Sequence, residues 1–342
     1  MRAAVYYAPH RVEIEDREDP IPADNEVVIR PVAVGVCPTD VKIFFEGSSK
    51  VKTPVILGHE VAGVVVSKGK NVSYLEVGDR VNVAADAPCM TCRYCKRGLH
   101  NLCDDMLSLG FNVDGAYSTL MKVPSRFVEN RLVYKIPDET TFEEAALIEP
   151  VAVSINALEL VSPTPEDRVV IVGDGPNALI HLMLLKNVYR VNYVAVLGAL
   201  DHRLKAALDL GADTAINVTQ TAQEELPRIL GPVDIVDVTV ANKEAIGEAA
   251  ALIGKATRVT LFGGARPDVE LPLTVNRIHY DQVLVTGSSG TNIENYIKAY
   301  KIVINRTIDL RKIVTNIYKL DELVKAFNSV KEGRGLKSIV RP

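Results

Sequence analysis

Residues 169 to 287 alternate short β-branched runs with stretches of helical periodicity, and this alternation restricts the chain more than any other feature. Apolar runs recur at Val169 to Val172, Tyr193 to Leu197, Ala215 to Val218, Val233 to Val240, Arg258 to Gly263 and Val283 to Gly287. The first ends in Gly173-Asp174-Gly175-Pro176-Asn177-Ala178, after which Leu179, Leu182, Met183 and Leu185 repeat at helical spacing. Strands joined by helical crossovers are parallel and need helices on both faces, so the pattern predicts an α/β, doubly wound parallel sheet over 150–286.

The flanking sequence has a different texture. Residues 1–149 carry short strands, many Gly and Pro turns and few long helical patterns, which predicts a β-rich, barrel-like domain. After Gly287 the spacing predicts helices at Ile293 to Asn305 and Leu320 to Lys331 and a last strand at Lys337 to Val340. This tail, 287–342, is expected to pack back on the first domain. Two domains suit 342 residues, more than one core usually organises.

The turn after Val172 matches G-x-G-x-x-A. Gly173 permits the tight turn, Gly175 lets backbone approach a pyrophosphate, and Ala178 lets the helix sit close to the strand. The helix N-terminus then faces the phosphates. Taken alone, the hexapeptide also fits a Gly-rich turn in an unrelated sheet; the strand before it and the helix after it favour a dinucleotide.

The five cysteines fall into two groups. Cys89, Cys92, Cys95 and Cys103 form C-x-x-C-x-x-C-x7-C, a spacing at which four thiolates can close around one tetrahedral zinc. An iron–sulfur cluster or a nucleic-acid knuckle is the competing reading. Against it stand a spacing unlike that of bacterial ferredoxins and the acids Asp104 and Asp105 beside the last cysteine. Cys37 stands alone, with Gly58-His59-Glu60 and Glu149-Pro150 downstream, and a mixed sulfur, nitrogen and oxygen site there would leave zinc open to substrate. Pro150 disfavours helical geometry at Glu149, so that side chain is expected on extended backbone. Adjacent His59 and Glu60 would point opposite ways in a strand, so Glu60 would yield its place to water or substrate.

A formal charge of −4 with scattered basic residues gives no footprint for nucleic acid. No apolar run approaches the roughly 18 residues a membrane span needs. Met1 to Tyr7 reads as a strand and not as a signal peptide. Free thiols able to bind metal fit a reducing cytoplasm.

Cys37 with Thr39-Asp40, Gly58-His59-Glu60, Gly78-Asp79-Arg80-Val81, the four-cysteine run, Glu149-Pro150 and the glycine-rich turn together resemble the zinc-dependent medium-chain dehydrogenases, most closely the sorbitol and threonine dehydrogenase group. The resemblance implies a Rossmann domain at 150–286 and a GroES-like catalytic domain at 1–149 and 287–342, with the structural-zinc lobe near 86–106. It implies two zinc ions per subunit: one on Cys89, Cys92, Cys95 and Cys103, the other catalytic, on Cys37, His59, Glu60 and Glu149. Thr39 would hydrogen-bond the substrate oxygen and pass its proton outward. Pro38 stands where the family usually has glycine, stiffening a loop. Lys42 stands where a histidine is common, which counts against threonine as substrate.

Hydride leaves an alcohol readily only once the hydroxyl has lost its proton. Zinc lowers the pKa of bound water from about 15.7 to roughly 7, and a bound alcohol should respond similarly. The resemblance therefore implies hydride transfer between NAD(P) and a secondary hydroxyl of a polyol, sugar or related alcohol. An amino-alcohol substrate and a zinc-stabilised protein without turnover are the other readings. Gly173, Gly175, Pro176, Asn177, Gly198, Arg203 and Lys337 would meet the cofactor. NADP is favoured over NAD, because Gly198 stands where an acid would take the ribose hydroxyls, while Arg203 could pair with a 2′-phosphate. Asp201 offers NAD a substitute carboxylate. Phe45, Phe111, Tyr117 and Asn156 are expected near the substrate, and a homodimer or homotetramer is implied.

Overall fold

A computed structural model describes all of residues 1–342 and divides them into two compact units, Met1–Glu149 with Asn292–Pro342, and Pro150–Thr291. The first unit is built on a seven-stranded sheet whose centre is the strand Val27–Gly35. That strand pairs antiparallel with Glu60–Lys68, with Met121–Val123 and with the tail strand Lys337–Arg341. Val27, Ile29, Ala33 and Val34 are fully buried along it, as barrel-like closure requires. A smaller three-stranded sheet joins Arg2–Ala8, Arg11–Asp16 and Val55–Ile56.

The tail is anchored by amphipathic helices. Ile293–Ile304 starts where the Asn292 side chain accepts from the Asn295 amide, and it buries Tyr296, Ala299 and Val303 at helical spacing. The Tyr296 hydroxyl donates to Asn82 Oδ1 at 2.8 Å, which ties the tail into the buried sheet. Leu323–Lys331 buries Leu323, Ala326 and Phe327 in the same manner.

Two local expectations change. Pro38 opens the helix Pro38–Glu46 with Cys37 as its N-cap, where the sequence suggested a stiffened loop. Proline is well suited to that first position, because its missing amide would have had no partner there. Glu149 is helical and not extended: it lies in the first turn of Ile148–Val161, and Pro150 follows it in the same turn. Proline's bias against a preceding helical residue yields there, where the first amides of a helix have no intrahelical acceptor.

The second unit is a six-stranded parallel sheet in the order Thr214–Asn217, Tyr193–Gly198, Arg168–Val172, Ile235–Val238, Arg258–Leu261, Leu284–Gly287. Val170, Val172, Ala195, Leu197, Val236, Val238 and Val259 are covered by helical residues including Leu226, Ala249 and Leu252. Burial on both faces explains the unbroken apolar runs in the sequence. Strand order reverses at Arg168–Val172, and in such sheets the crevice beyond that strand's carboxyl end receives the ligand. The unit runs to Thr291 rather than 286, because Asn156 donates to Ser288 Oγ and the Gly290 carbonyl, and Thr291 donates to the Ala152 carbonyl. No helix is long and apolar enough to cross a membrane.

Candidate active site

The four-cysteine lobe is pre-shaped around its sulfurs. Cys89, Cys92, Cys95 and Cys103 each bring a sulfur within 4.8 Å of the others. Backbone amides aim at them: Cys89 N–H at Cys103 Sγ (3.2 Å), Cys92 N–H at Cys89 Sγ (3.4 Å) and Asp105 N–H at Cys103 Sγ (3.4 Å). Hydrogen bonds from the Thr91 hydroxyl and from backbone pull the Cys89 thiol down to about 6, and the Cys95 amide lowers Cys92. Burial instead pushes Cys95 up to about 12 and raises Cys103. Four thiols so close ionise together only around a cation, and an all-sulfur donor set fits tetrahedral zinc.

Cys37, His59 and Glu60 form the second group, each offering one donor atom within 4.8 Å of the others. Cys37 caps the helix Pro38–Glu46, His59 precedes the strand Glu60–Lys68, and Glu60 begins it. Glu60 pairs with Gly35 across the antiparallel ladder, and a Cβ on Gly35 would overlap Glu60 Oε2. Glycine is required there for the carboxylate to fit.

Lys337 meets the same carboxylate from the tail strand. Its Nζ lies 2.7 Å from each Glu60 oxygen, donating to Oε1, and it also donates to the Val36 carbonyl at 3.1 Å. Lys337 is 1 % exposed. Inward pairing with Glu60 is the side-chain contact it makes. Burial opposes the ammonium charge, yet Glu60 and Cys37 outweigh it and raise the lysine.

His59 is held from behind. Its Nδ1 is 3.4 Å from Asp40 Oδ1, and the Tyr117 hydroxyl donates to Asp40 Oδ2 at 3.0 Å. Burial works against protonation of His59, but Asp40 and the Cys37 sulfur prevail and raise it well above its ordinary value. Asp40 Oδ1 and His59 Nδ1 are buried without a hydrogen bond, and Glu60 Oε2 has only its ion pair with Lys337. Sulfur, nitrogen and oxygen donors in a field that attracts positive charge fit a divalent zinc.

Glu149 is not among the donors gathered within 4.8 Å. It is buried close enough to feel them: burial pushes its carboxyl up to about 7, His59 and Lys337 pull it down, and Glu60 and Asp86 push it up. Thr39 is exposed in the first helical turn after Cys37, and Lys42 is solvated on the same helix. The Phe111 ring lies 6.0 Å from that of His59. Tyr117 is fully buried behind His59, and Phe45 packs on His10, Phe44 and the Lys331 ammonium. Asn156 spends its amide on Ser288 and Gly290. The support that Asp40 and Tyr117 give His59 escaped sequence reasoning, since the residues that make it are far apart in the chain.

At the nucleotide turn, Gly173 has φ +122°, and a Cβ on it would overlap the Thr239 hydroxyl. Gly175 caps the helix Pro176–Asn187, with Pro176 in its first turn and open space where a Gly175 side chain would be. Those features suit close approach of a pyrophosphate. At Gly198 a Cβ would lie 2.5 Å from Asp174 Cβ, so the Asp174 side chain packs directly against the end of that strand. Asp201 is turned to Asn217, which donates to its Oδ1 at 2.6 Å.

Comparison with known proteins agrees with this arrangement. Residues 23–138 match the alcohol dehydrogenase GroES-like domain, and 178–305 match the zinc-binding dehydrogenase family. Sorbitol dehydrogenase of Bombyx mori is 31% identical over 99% of this chain and 97% of its own length. That of Bacillus subtilis is 32% identical over 100% and 97%. An alcohol dehydrogenase of Escherichia coli CFT073 solved with NADH superposes with a TM-score of 0.90 at 26% identity, covering 100% of this chain and 99% of that one. Fold and donor sets define a zinc-type, NAD(P)-dependent oxidoreductase acting on CH–OH groups. The chain belongs to the zinc-dependent medium-chain alcohol dehydrogenase family.

Proposed function

We propose that the protein oxidises a secondary hydroxyl of a polyol or sugar alcohol, and reduces the matching ketone, at Cys37, His59 and Glu60. The observation that carries this reading is the convergence of those three donors in a chain matched over its full length by sorbitol dehydrogenases. In it Cys37 and His59 hold the catalytic zinc, with Glu60 and Glu149 as its carboxylate partners, and Cys89, Cys92, Cys95 and Cys103 hold a structural zinc. Zinc, when bound, supplies the Lewis acidity that favours loss of the hydroxyl proton. Asp40, with Oδ1 3.4 Å from His59 Nδ1, sets a negative charge behind the ring that strengthens it as a metal donor. Thr39, exposed beside Cys37, carries the departing proton toward solvent. Gly173, Gly175, Pro176 and Asn177 receive the dinucleotide phosphates.

A homodimer or homotetramer working in the cytoplasm completes the proposal. The exposed edge strand Leu284–Gly287, with Val275 and Tyr280 exposed nearby, supports self-association.

Assay of polyols, aldoses, simple secondary alcohols and L-threonine by reduced-cofactor absorbance tests the substrate class. A polyol should exceed L-threonine in kcat/KM by at least about 10-fold, a difference of roughly 1.4 kcal/mol in transition-state binding. Preference for L-threonine would refute the reading. Metal analysis should give two zinc ions per chain, and Cys92→Ser should give one. The same variant should lower Tm by roughly 10 °C, at about 2–4 °C for each kcal/mol lost by a domain of this size. An unchanged Tm would show that the lobe contributes no stability.

A further inference from the structure

Asp174, the residue between Gly173 and Gly175, reaches across the sheet end to the loop after Tyr193–Gly198. Its Oδ2 accepts from the Ala199 amide at 2.8 Å and the Leu200 amide at 2.9 Å, and its Oδ1 lies 3.6 Å from Arg203 Nη1. The side chain occupies the space left by the missing Cβ of Gly198. Where an acid is lacking at the strand end, a negative charge thus arrives from the neighbouring strand's turn.

We propose that Asp174 is the cofactor-specificity residue of this dehydrogenase and makes it select NAD over NADP. A nicotinamide dinucleotide seated in the glycine-rich turn places its adenosine ribose beyond the second strand, here Tyr193–Gly198. A 2′-phosphate there needs N–H donors and a cation. Asp174 already takes the two amide donors, stands beside Arg203, and sets its own negative charge against a phosphate carrying nearly two. A ribose hydroxyl meets no such repulsion. Selection comes chiefly from what the site rejects. The proposal runs against the sequence expectation of NADP, which treated the room at Gly198 as vacant.

Binding of NADH and NADPH, followed by nicotinamide fluorescence on the zinc-loaded protein, tests the proposal without any alcohol, so its outcome is independent of the polyol assignment. NADH should bind at least about 100-fold more tightly, and 5′-AMP should compete better than adenosine 2′,5′-bisphosphate. Asp174→Asn keeps an acceptor for the two amides while removing the charge. It should tighten NADPH by at least about 10-fold and change NADH by less than about 3-fold. Asp201→Asn should leave the ratio unaltered. Equal binding of the two native cofactors, an unchanged ratio in Asp174→Asn, or a ratio collapsed by Asp201→Asn instead would overturn the proposal. Should Asp174→Asn fail to fold, the native ratio and the nucleotide competition still decide it.

Discussion

Cys37→Ser should lower kcat/KM for the alcohol by about 1,000-fold or more while leaving NADH affinity within about 3-fold of the native value. A serine hydroxyl stays protonated near neutrality and is a poor substitute for a thiolate on zinc. The fold gives this variant unusual clarity. Cys37 is an N-cap that makes no side-chain capping bond, and serine is among the preferred N-cap residues, so the helix Pro38–Glu46 should be as stable or more so. Loss of activity would then report the metal donor and not a frayed helix. Metal content should fall from two equivalents to one, with Tm nearly unchanged, in contrast to Cys92→Ser. Retention of native turnover by Cys37→Ser would refute the assigned site.

Lys337→Met should cost about 3–5 kcal/mol of stability, the usual consequence of stripping one partner from a buried ion pair. Glu60 and Lys337 are each 1 % exposed, and the lysine stays charged because its pKa is raised. Without the ammonium, the Glu60 carboxylate sits buried near the Cys37 sulfur and loses its ion-pair partner. Combining Lys337→Met with Glu60→Gln should recover much of the loss, and a double-mutant cycle in denaturant measures the coupling. A dinucleotide contact predicts the opposite pattern: weakened NADH binding with unaltered stability. Observing that pattern would return Lys337 to the cofactor site.

The parts of the molecule legible in the sequence are those governed by local pattern. Parallel strands covered on both faces, such as Arg168–Val172 and Ile235–Val238, leave continuous apolar runs, and the crossover helices supply the spacing between them. The four cysteines announce their lobe because all the donors lie within fifteen residues. His59 and Glu60 are neighbours that an isolated strand would aim apart, yet His59 precedes the strand that Glu60 begins, and both donors reach Cys37. What pattern missed depends on register and on helix ends. Glu149 obeyed the geometry of a helical first turn over the extended preference imposed by Pro150. The Glu60–Lys337 pair spans 277 positions and exists because Lys337–Arg341 runs beside Val27–Gly35. Asp174 looked like filler in a glycine motif until the sheet brought the loop at Ala199 and Leu200 to it.

The contact between Gly198 and Asp174 also restricts how this chain can change. A carboxylate grafted onto the strand end, the direct way to strengthen ribose recognition, collides with one already present, since even a methyl group at Gly198 comes within 2.5 Å of Asp174 Cβ. The two positions are mutually exclusive tenants of one small volume. Any lineage or redesign that moves the acid from turn to strand must alter both codons together, passing otherwise through a form that is overcrowded or has none.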